Sequence, residues 1–252
     1  MIHAQGCSSL YRILVRTAST AVSLCCLLTA SNSLAQGLLS PARPPLPESV
    51  ITVTNSPHCQ IIYLGFVGAL EPANNKYSGV VQIRKTLQGR DYSDVCAKSF
   101  SPYVWTEGRD WLMEHFPSHP GALTTQELQQ APKVILVGHS MGGWAIMSVA
   151  RELRSHDIPV ELTVQVDSVG FTDYVIPRNV KSAAIFHAND VLMFITTKHI
   201  RLEDPNHTKI VADIKVAKAN HQSITRDPRI REMVMNMVEG LRAAGLAAKS
   251  AP

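Results

Sequence analysis

The chain has 252 residues, of which 45% are hydrophobic, 17% charged and 6% aromatic. This composition is typical of a globular protein and excludes a collagen-like repeat, a long coiled coil, a disordered charged chain and a disulfide-dense miniprotein. The 24 Lys and Arg residues against 20 Asp and Glu residues give a net charge of +4. No run of basic residues is long enough to predict a nucleic-acid surface.

The first 35 residues have the pattern of a secretory signal. They contain no Asp or Glu, carry Arg12 and Arg16, and continue through an apolar stretch at 21–30 to small residues that end at Ala35. That stretch is too short for a membrane span, which needs about 20 apolar residues. We therefore predict cleavage after Ala35, export to a periplasmic or extracellular compartment, and no stable membrane span afterwards. An uncleaved anchor and a mitochondrial presequence are the alternatives.

Two cysteines, Cys59 and Cys96, follow the predicted cleavage site. An even pair in an oxidising compartment predicts a single disulfide, with two buried free thiols as the alternative. Residues 36–49 carry four prolines and predict an extended arm. Residues 50–243 predict one domain, and residues 244–252 predict a flexible tail.

Apolar segments of strand length alternate with helical segments through the predicted domain. The predicted strands are Ile51–Thr54, Cys59–Leu64, Val95–Phe100, Lys133–Val137, Val160–Val166, Ser182–Phe186 and Lys209–Val216. The predicted helices are Ser78–Leu87, Gly142–Arg154 and a last helix that Asp227 caps and that continues to Leu241. Such alternation predicts an α/β fold, with a mostly parallel sheet between two layers of helices.

The segment from Val134 to Trp144 holds the motif G-x-S-x-G between a predicted strand and a predicted helix. The turn is so sharp that a side chain at Gly138 or Gly142 would clash, and its strain lifts the Ser140 hydroxyl clear of the backbone. The bare motif is short enough to arise by chance, but the strand before it and the helix after it are what the turn requires. The pattern predicts a nucleophilic Ser140, and the alternative is an inert serine in a tight turn.

Residues Gly138–Gly143 read GHSMGG, and with their flanks they resemble the nucleophile elbow of the α/β-hydrolase fold superfamily. The likeness extends in outline from about Cys59 to Leu241. It implies a serine hydrolase whose triad follows the chain order Ser, acid, His. Only about a dozen residues separate Asp167 from the predicted strand at Ser182, so a minimal lid or none is expected.

A serine hydroxyl needs a neighbouring imidazole to take its proton. His221 lies in the loop between the last predicted strand and the last helix, which is where the superfamily has its catalytic histidine. His221 is therefore the predicted base. The less favoured histidines are His187, His199 and His207 downstream and His139 beside the serine.

The acid of the triad has two candidates. Asp167 ends the predicted strand Val160–Val166, and Asp190 follows the next strand. Most superfamily members take the acid from the later position, and some lipase-like members take it from the earlier one. Asp167 is preferred because an acid that ends an apolar strand is held rigidly, whereas Asp190 suits a solvated loop or helix cap equally well. Asp173 and Asp204 are predicted to be surface charges.

Two backbone amides are predicted to bind the oxyanion of the reaction. Met141 follows the nucleophile at a helix N-terminus, where an N–H group stabilises negative charge. The loop after the predicted strand Cys59–Leu64 predicts the second donor at Phe66 or Val67, and we choose Phe66. This loop lacks the His-Gly pair that is common in the superfamily.

Together these features predict an exported, metal-independent serine hydrolase that cleaves small-molecule or lipid carboxylic esters through Ser140, Asp167 and His221. Neither a zinc-spaced Cys/His cluster nor a phosphate-binding glycine loop is visible, so no cofactor is predicted. The alternatives are a thioesterase, amidase or peptidase with the same triad, and a non-catalytic exported binding protein. The resemblance also implies neighbouring strands at Cys59 and Cys96, which makes a disulfide between them conceivable.

Overall fold

The computed structural model of the chain describes residues 59–117, 123–170, 172–189 and 196–250. The predicted signal, the proline-rich arm, the strand Ile51–Thr54 and the alternative acid Asp190 lie outside these residues. Among the described residues, no helix combines the length and the apolar character that crossing a membrane requires.

Parallel strands build the central sheet. They are β1 (Ile61–Phe66), β2 (Val95–Phe100), β3 (Lys133–His139), β4 (Val160–Val166), β6 (Val180–Ala188) and β8 (Lys209–Val216), in the spatial order β2-β1-β3-β4-β6-β8. Two further short strands, β5 (Val175–Ile176) and β7 (Arg201–Leu202), pair with each other. Because the six strands are parallel, their carboxyl ends meet at one edge of the sheet.

Helices cover both faces of this sheet. They are α1 (Gly79–Gln88), α2 (Trp105–Met113), α3 (Thr125–Gln130), α4 (Met141–Ser155) and α5 (Pro228–Ser250), with single 3-10 turns at Pro102–Val104 and Ile224–Arg226. One hydrophobic cluster joins Ile62 and Leu64 of β1 to α2 and α4, and a second joins Ile61 and Tyr63 of β1 to α1 and α5. The predicted α/β class is therefore confirmed.

Burial on both faces explains why the inner strands were recognisable in the sequence. Every residue of β1 and of β4 is buried, and strands of this kind are apolar without alternation. The edge strand β8 instead alternates between exposed and half-buried residues over most of its length.

The last helix begins as predicted but ends later. The Asp227 carboxylate accepts a hydrogen bond from the Arg229 N–H at 3.0 Å, which caps the helix, and Pro228 occupies the first position. The helix continues to Ser250, so most of the predicted tail at 244–252 is helical. The reason is the alanine content of this end of the chain, because alanine is the strongest helix former.

Cys59 and Cys96 form the predicted disulfide, with their Cα atoms 5.5 Å apart. Cys59 precedes β1, and Cys96 lies near the start of the neighbouring strand β2. The bridge therefore lies toward the amino ends of these strands.

The connection between β4 and β6 spans residues 167–179, and its described part contains only the two-residue strand β5. No lid domain is inserted in this described part, as the chain length between the two strands predicted.

Candidate active site

Ser140 forms the turn between β3 and α4 in a rare backbone conformation. Its φ is 54° and its ψ is −125°, a region that residues with side chains seldom adopt. Its N–H donates to the Val166 carbonyl at 3.0 Å, and its own carbonyl accepts from the N–H groups of Gly143 and Val169. These bonds fix the serine at the carboxyl edge of the sheet.

Two glycines make this turn possible. A Cβ atom at Gly138 would stand 2.2 Å from the carbonyl oxygen of Gly142, and a Cβ atom at Gly142 would stand 2.3 Å from the carbonyl oxygen of Phe66. Both distances are far below van der Waals contact, so the clash expected from the sequence is present in the structure.

Three side chains from different parts of the chain form one hydrogen-bonded series at this edge. His221 Nε2 lies 3.0 Å from Ser140 Oγ, and His221 Nδ1 lies 2.7 Å from Asp167 Oδ2. A carboxylate only accepts hydrogen bonds, so Nδ1 carries a proton and Nε2 is the nitrogen that accepts the serine hydroxyl. The structure thus brings together the three residues that the sequence predicted as a triad. Such a series can turn a hydroxyl into a nucleophile.

Asp167 is fully buried at the end of β4. The Ala188 N–H donates to its Oδ1 at 3.0 Å, and Lys198 Nζ lies 3.9 Å from the same oxygen. Burial by itself raises the pKa of Asp167, but hydrogen bonds from His221 and Ala188, with the charge of Lys198, hold that pKa below its usual range. The carboxyl group is therefore ionised at neutral pH.

Asp173 is not the surface charge that the sequence predicted, because its exposure is 0%. Its Oδ2 accepts hydrogen bonds from the hydroxyls of Ser168 and Thr197, and the Thr197 N–H donates to the Ser168 carbonyl at 2.7 Å. These contacts tie the segment that follows Asp167 to residue 197. Nothing in the local sequence around Asp173 predicted this, since Thr197 is distant in the chain.

Met141, one predicted oxyanion donor, is the first residue of α4 and follows Ser140 directly. The first N–H groups of a helix have no acceptor within that helix, so this amide is available to an oxygen beside the serine.

The second predicted donor is not placed as expected. The Val67 N–H donates to the Phe100 carbonyl at 3.1 Å. Successive amides along a strand point to opposite sides, so the Phe66 N–H points to β3, where Gly138 is its register partner. The amide of Phe66 therefore belongs to the sheet and does not face Ser140.

His187 lies within β6 and is half-buried, with Nε2 3.6 Å from Asp213 Oδ1 on β8. Burial lowers the pKa of His187. Asp213 lies on the edge strand β8. This contact agrees with the structural role that the sequence favoured for His187.

His139, the last residue of β3, packs beside the histidine of the hydrogen-bonded series. The ring centroids of His139 and His221 are 4.8 Å apart. Glu71 also lies beside the His139 ring. The sequence did not predict this contact, because Glu71 lies in the irregular loop after β1.

No protein-family model and no curated protein matches the chain. Solved structures similar to it include Est1E from Butyrivibrio proteoclasticus, with 13% identity, 73% of this chain and 91% of that one covered, and a TM-score of 0.38. The type II thioesterase BorB from the borrelidin biosynthetic cluster is 13% identical over 77% of this chain and 95% of its own, with a TM-score of 0.42. A serine hydrolase without a lid from Xanthomonas campestris is 11% identical over 77% and 85%, with a TM-score of 0.40.

The chain is similar to α/β hydrolases in fold. The identities are 11–13% and the TM-scores lie below 0.5, so the function is inferred from the residues of this chain alone.

Within the described residues, one group of His, Cys, Asp and Glu side chains is close enough to hold a metal ion. It consists of Cys59, Cys96 and His115, whose ligand atoms lie within 4.8 Å of one another. Both sulfur atoms are joined in the disulfide, so they are not free thiolates that would bind a metal.

Proposed function

We propose that this protein is an exported serine hydrolase that cleaves carboxylic esters through an acyl-enzyme. The observation that carries the proposal is the hydrogen-bonded series from Ser140 through His221 to Asp167. A buried and ionised Asp167 stabilises the positive charge that His221 acquires on taking the serine proton. The rare backbone conformation of Ser140 presents its hydroxyl to that histidine.

In the first half of the reaction, Ser140 Oγ forms a bond to the acyl carbon and its proton passes to His221 Nε2. The bond from the acyl carbon to the alcohol oxygen then breaks, and His221 returns the proton to the leaving alcohol. Negative charge that develops on the carbonyl oxygen is stabilised by the N–H of Met141. The product of this half is an ester between the acyl group and Ser140.

In the second half, a water molecule attacks the acyl carbon while His221 Nε2 accepts its proton. The bond to Ser140 Oγ breaks, His221 gives the proton to that oxygen, and the carboxylic acid is released. Asp167 keeps its hydrogen bond to Nδ1 throughout and holds the imidazole in the tautomer that both halves need.

Export belongs to the same proposal. Besides the signal pattern in the first 35 residues, the disulfide between Cys59 and Cys96 supports it, because disulfides persist in oxidising compartments and are rare in the cytosol.

A fluorophosphonate probe tests the proposed nucleophile. We expect the mature protein to be labelled at Ser140 and to hydrolyse p-nitrophenyl esters. Both activities should fall by roughly 10⁴-fold or more in Ser140→Ala and His221→Ala. Ser148→Ala is the matched control, because Ser148 lies on the same helix and donates its hydroxyl to the Trp144 carbonyl at 3.0 Å. Ser148→Ala should react like the unchanged protein.

Labelling that persists in Ser140→Ala would overturn the assignment of the nucleophile. A folded protein that is neither labelled nor active would favour a binding protein. A comparison of an ester, a thioester and an anilide with the same acyl chain tests which bond the protein cleaves. Faster turnover of the thioester or the anilide would contradict the proposed ester substrate.

A further inference from the structure

His139 has an oxygen atom within 3 Å of each ring nitrogen, although only 2% of the residue is exposed. Its Nε2 lies 2.8 Å from the backbone carbonyl oxygen of His221. A carbonyl oxygen only accepts hydrogen bonds, so Nε2 carries a proton and donates it. The ring of His139 therefore fixes the backbone of the residue whose side chain faces Ser140.

The second nitrogen of the same ring faces a carboxylate. His139 Nδ1 lies 2.8 Å from Glu71 Oε1, on the loop after β1. Burial raises the pKa of Glu71, but the adjacent His139 lowers it, with smaller contributions from Ser78 and Asn75, and the net pKa lies below its usual range. An ionised Glu71 therefore lies in close contact with the buried ring that bonds the backbone of His221.

The loop after β1 is shaped for this contact. The Glu71 N–H donates to the Gly68 carbonyl at 3.0 Å, which closes a tight turn. A Cβ atom at Gly68 would lie 3.1 Å from both Glu71 Oε1 and His139 Nδ1. The contact therefore needs the free space that glycine leaves beside it.

Several backbone hydrogen bonds of the loop that carries His221 lie within the loop itself. Asn220 Oδ1 accepts from the N–H groups of Gln222 and Ser223, and the Asn220 carbonyl accepts from Ile224. These local bonds shape the loop but do not attach it to the sheet. The bond from His139 attaches the backbone of His221 to the end of β3, beside Ser140.

We propose that Glu71 and His139 form a positioning pair that holds His221 within hydrogen-bonding distance of Ser140. The pair acts on the backbone of His221, whereas Asp167 acts on its side chain. Neither Glu71 nor His139 takes part in proton transfer to the substrate. The inference rests on the proposed hydrolase function, since the role of the pair is to keep the proton acceptor in place.

Kinetics of variants test the pair. We expect Glu71→Ala to lower kcat on a p-nitrophenyl ester by about 10- to 100-fold, with KM changed by less than about threefold, because a displacement on the order of 1 Å costs about that much in rate. Glu71→Gln should recover most of the rate, because an amide of the same shape keeps the contact with Nδ1. His139→Leu should resemble Glu71→Ala, and the double variant should be no slower than the slower single variant.

Glu161→Ala is the matched control. Glu161 is also a buried carboxylate in an ion pair, with Lys181 at 2.8 Å, but it lies near the amino end of β4. It should leave kcat unchanged. A loss of kcat in Glu161→Ala as large as in Glu71→Ala, or a Glu71→Gln variant as slow as Glu71→Ala, would overturn the positioning role.

A readout without turnover separates this inference from the proposed function. Hydrogen exchange of the backbone amides at 219–223 should be faster in Glu71→Ala than in the unchanged protein, whether or not the protein is a hydrolase. If Ser140→Ala abolishes turnover while Glu71→Ala keeps both kcat and the original exchange rates, the positioning pair is refuted and the hydrolase stands. If Ser140→Ala keeps turnover, the proposed function fails. In that case, exchange rates in Glu71→Ala that match those of the unchanged protein would refute the positioning pair as well.

Discussion

At the scale of single residues, the backbone of Ser140 governs what its side chain can do. A residue with φ near 54° is strained by about 1–3 kcal/mol relative to ordinary conformations. The hydrogen bonds at its N–H and carbonyl, and the close approach that Gly138 and Gly142 allow, offset that strain. The result is a hydroxyl directed at His221.

Asp167→Asn tests the acid of the series. We expect kcat/KM on a p-nitrophenyl ester to fall by roughly 10⁴-fold, the loss measured for the corresponding change in a serine protease, because an amide favours the wrong imidazole tautomer. Asp213→Asn is a control, because Asp213 is an exposed carboxylate beside His187. A loss of less than about tenfold in Asp167→Asn would indicate that Asp190 or another group orients the imidazole.

The sequence predicted Ser140, Asp167 and His221 because each lies next to a strand, turn or helix that is recognisable in the sequence. Ser140 has its glycines, Asp167 ends an apolar strand, and His221 precedes a well-marked helix. Glu71 and Asp173 have no such marker, because their partners His139 and Thr197 come close only in the folded chain. The Phe66 amide was predicted to lie in a loop, because the apolar residues after Cys59 do not indicate the residue at which β1 ends. In the structure β1 continues to Phe66, which still pairs with β3.

At the scale of elements, prediction succeeded where packing and periodicity agree. Strand β4 has the predicted bounds because all of its residues are buried. Helix α2 was missed because only Gly108 and Leu112 are buried in it, and α3 was missed because none of its residues is buried. Helices with so few buried residues lack the apolar stripe by which an amphipathic helix is recognised in a sequence.

The N-cap of α5 provides a test at this scale. We expect Asp227→Ala to lower the free energy of unfolding by about 0.5–2 kcal/mol, because the Arg229 N–H loses its acceptor. Urea unfolding measures this change. Glu232→Ala on the exposed surface of the same helix should stay within about 0.5 kcal/mol of the unchanged protein. Equal stability of the two variants would contradict the capping role.

At the scale of the whole molecule, the parallel sheet is what assembles the site. Ser140 and Asp167 follow the adjacent strands β3 and β4, and the loop after β8 brings His221 to the same edge. The alternation of strands and helices predicts that such an edge exists. The order of the strands depends on which helix covers which face, and that information is spread over the whole chain.

The disulfide between Cys59 and Cys96 is expected to stabilise the fold without affecting the site. It joins residues separated by 37 positions, and a loop of that size contributes about 2–4 kcal/mol, chiefly by restricting the unfolded chain. A Cys59→Ala/Cys96→Ala double variant should lose about that much unfolding free energy in urea. Its kcat should be unchanged, because the bridge lies toward the amino ends of β1 and β2, whereas Ser140 follows the carboxyl end of β3. The unchanged protein with a thiol reductant should show the same loss of stability, and a fall in kcat of the folded double variant would show that the bridge also shapes the site.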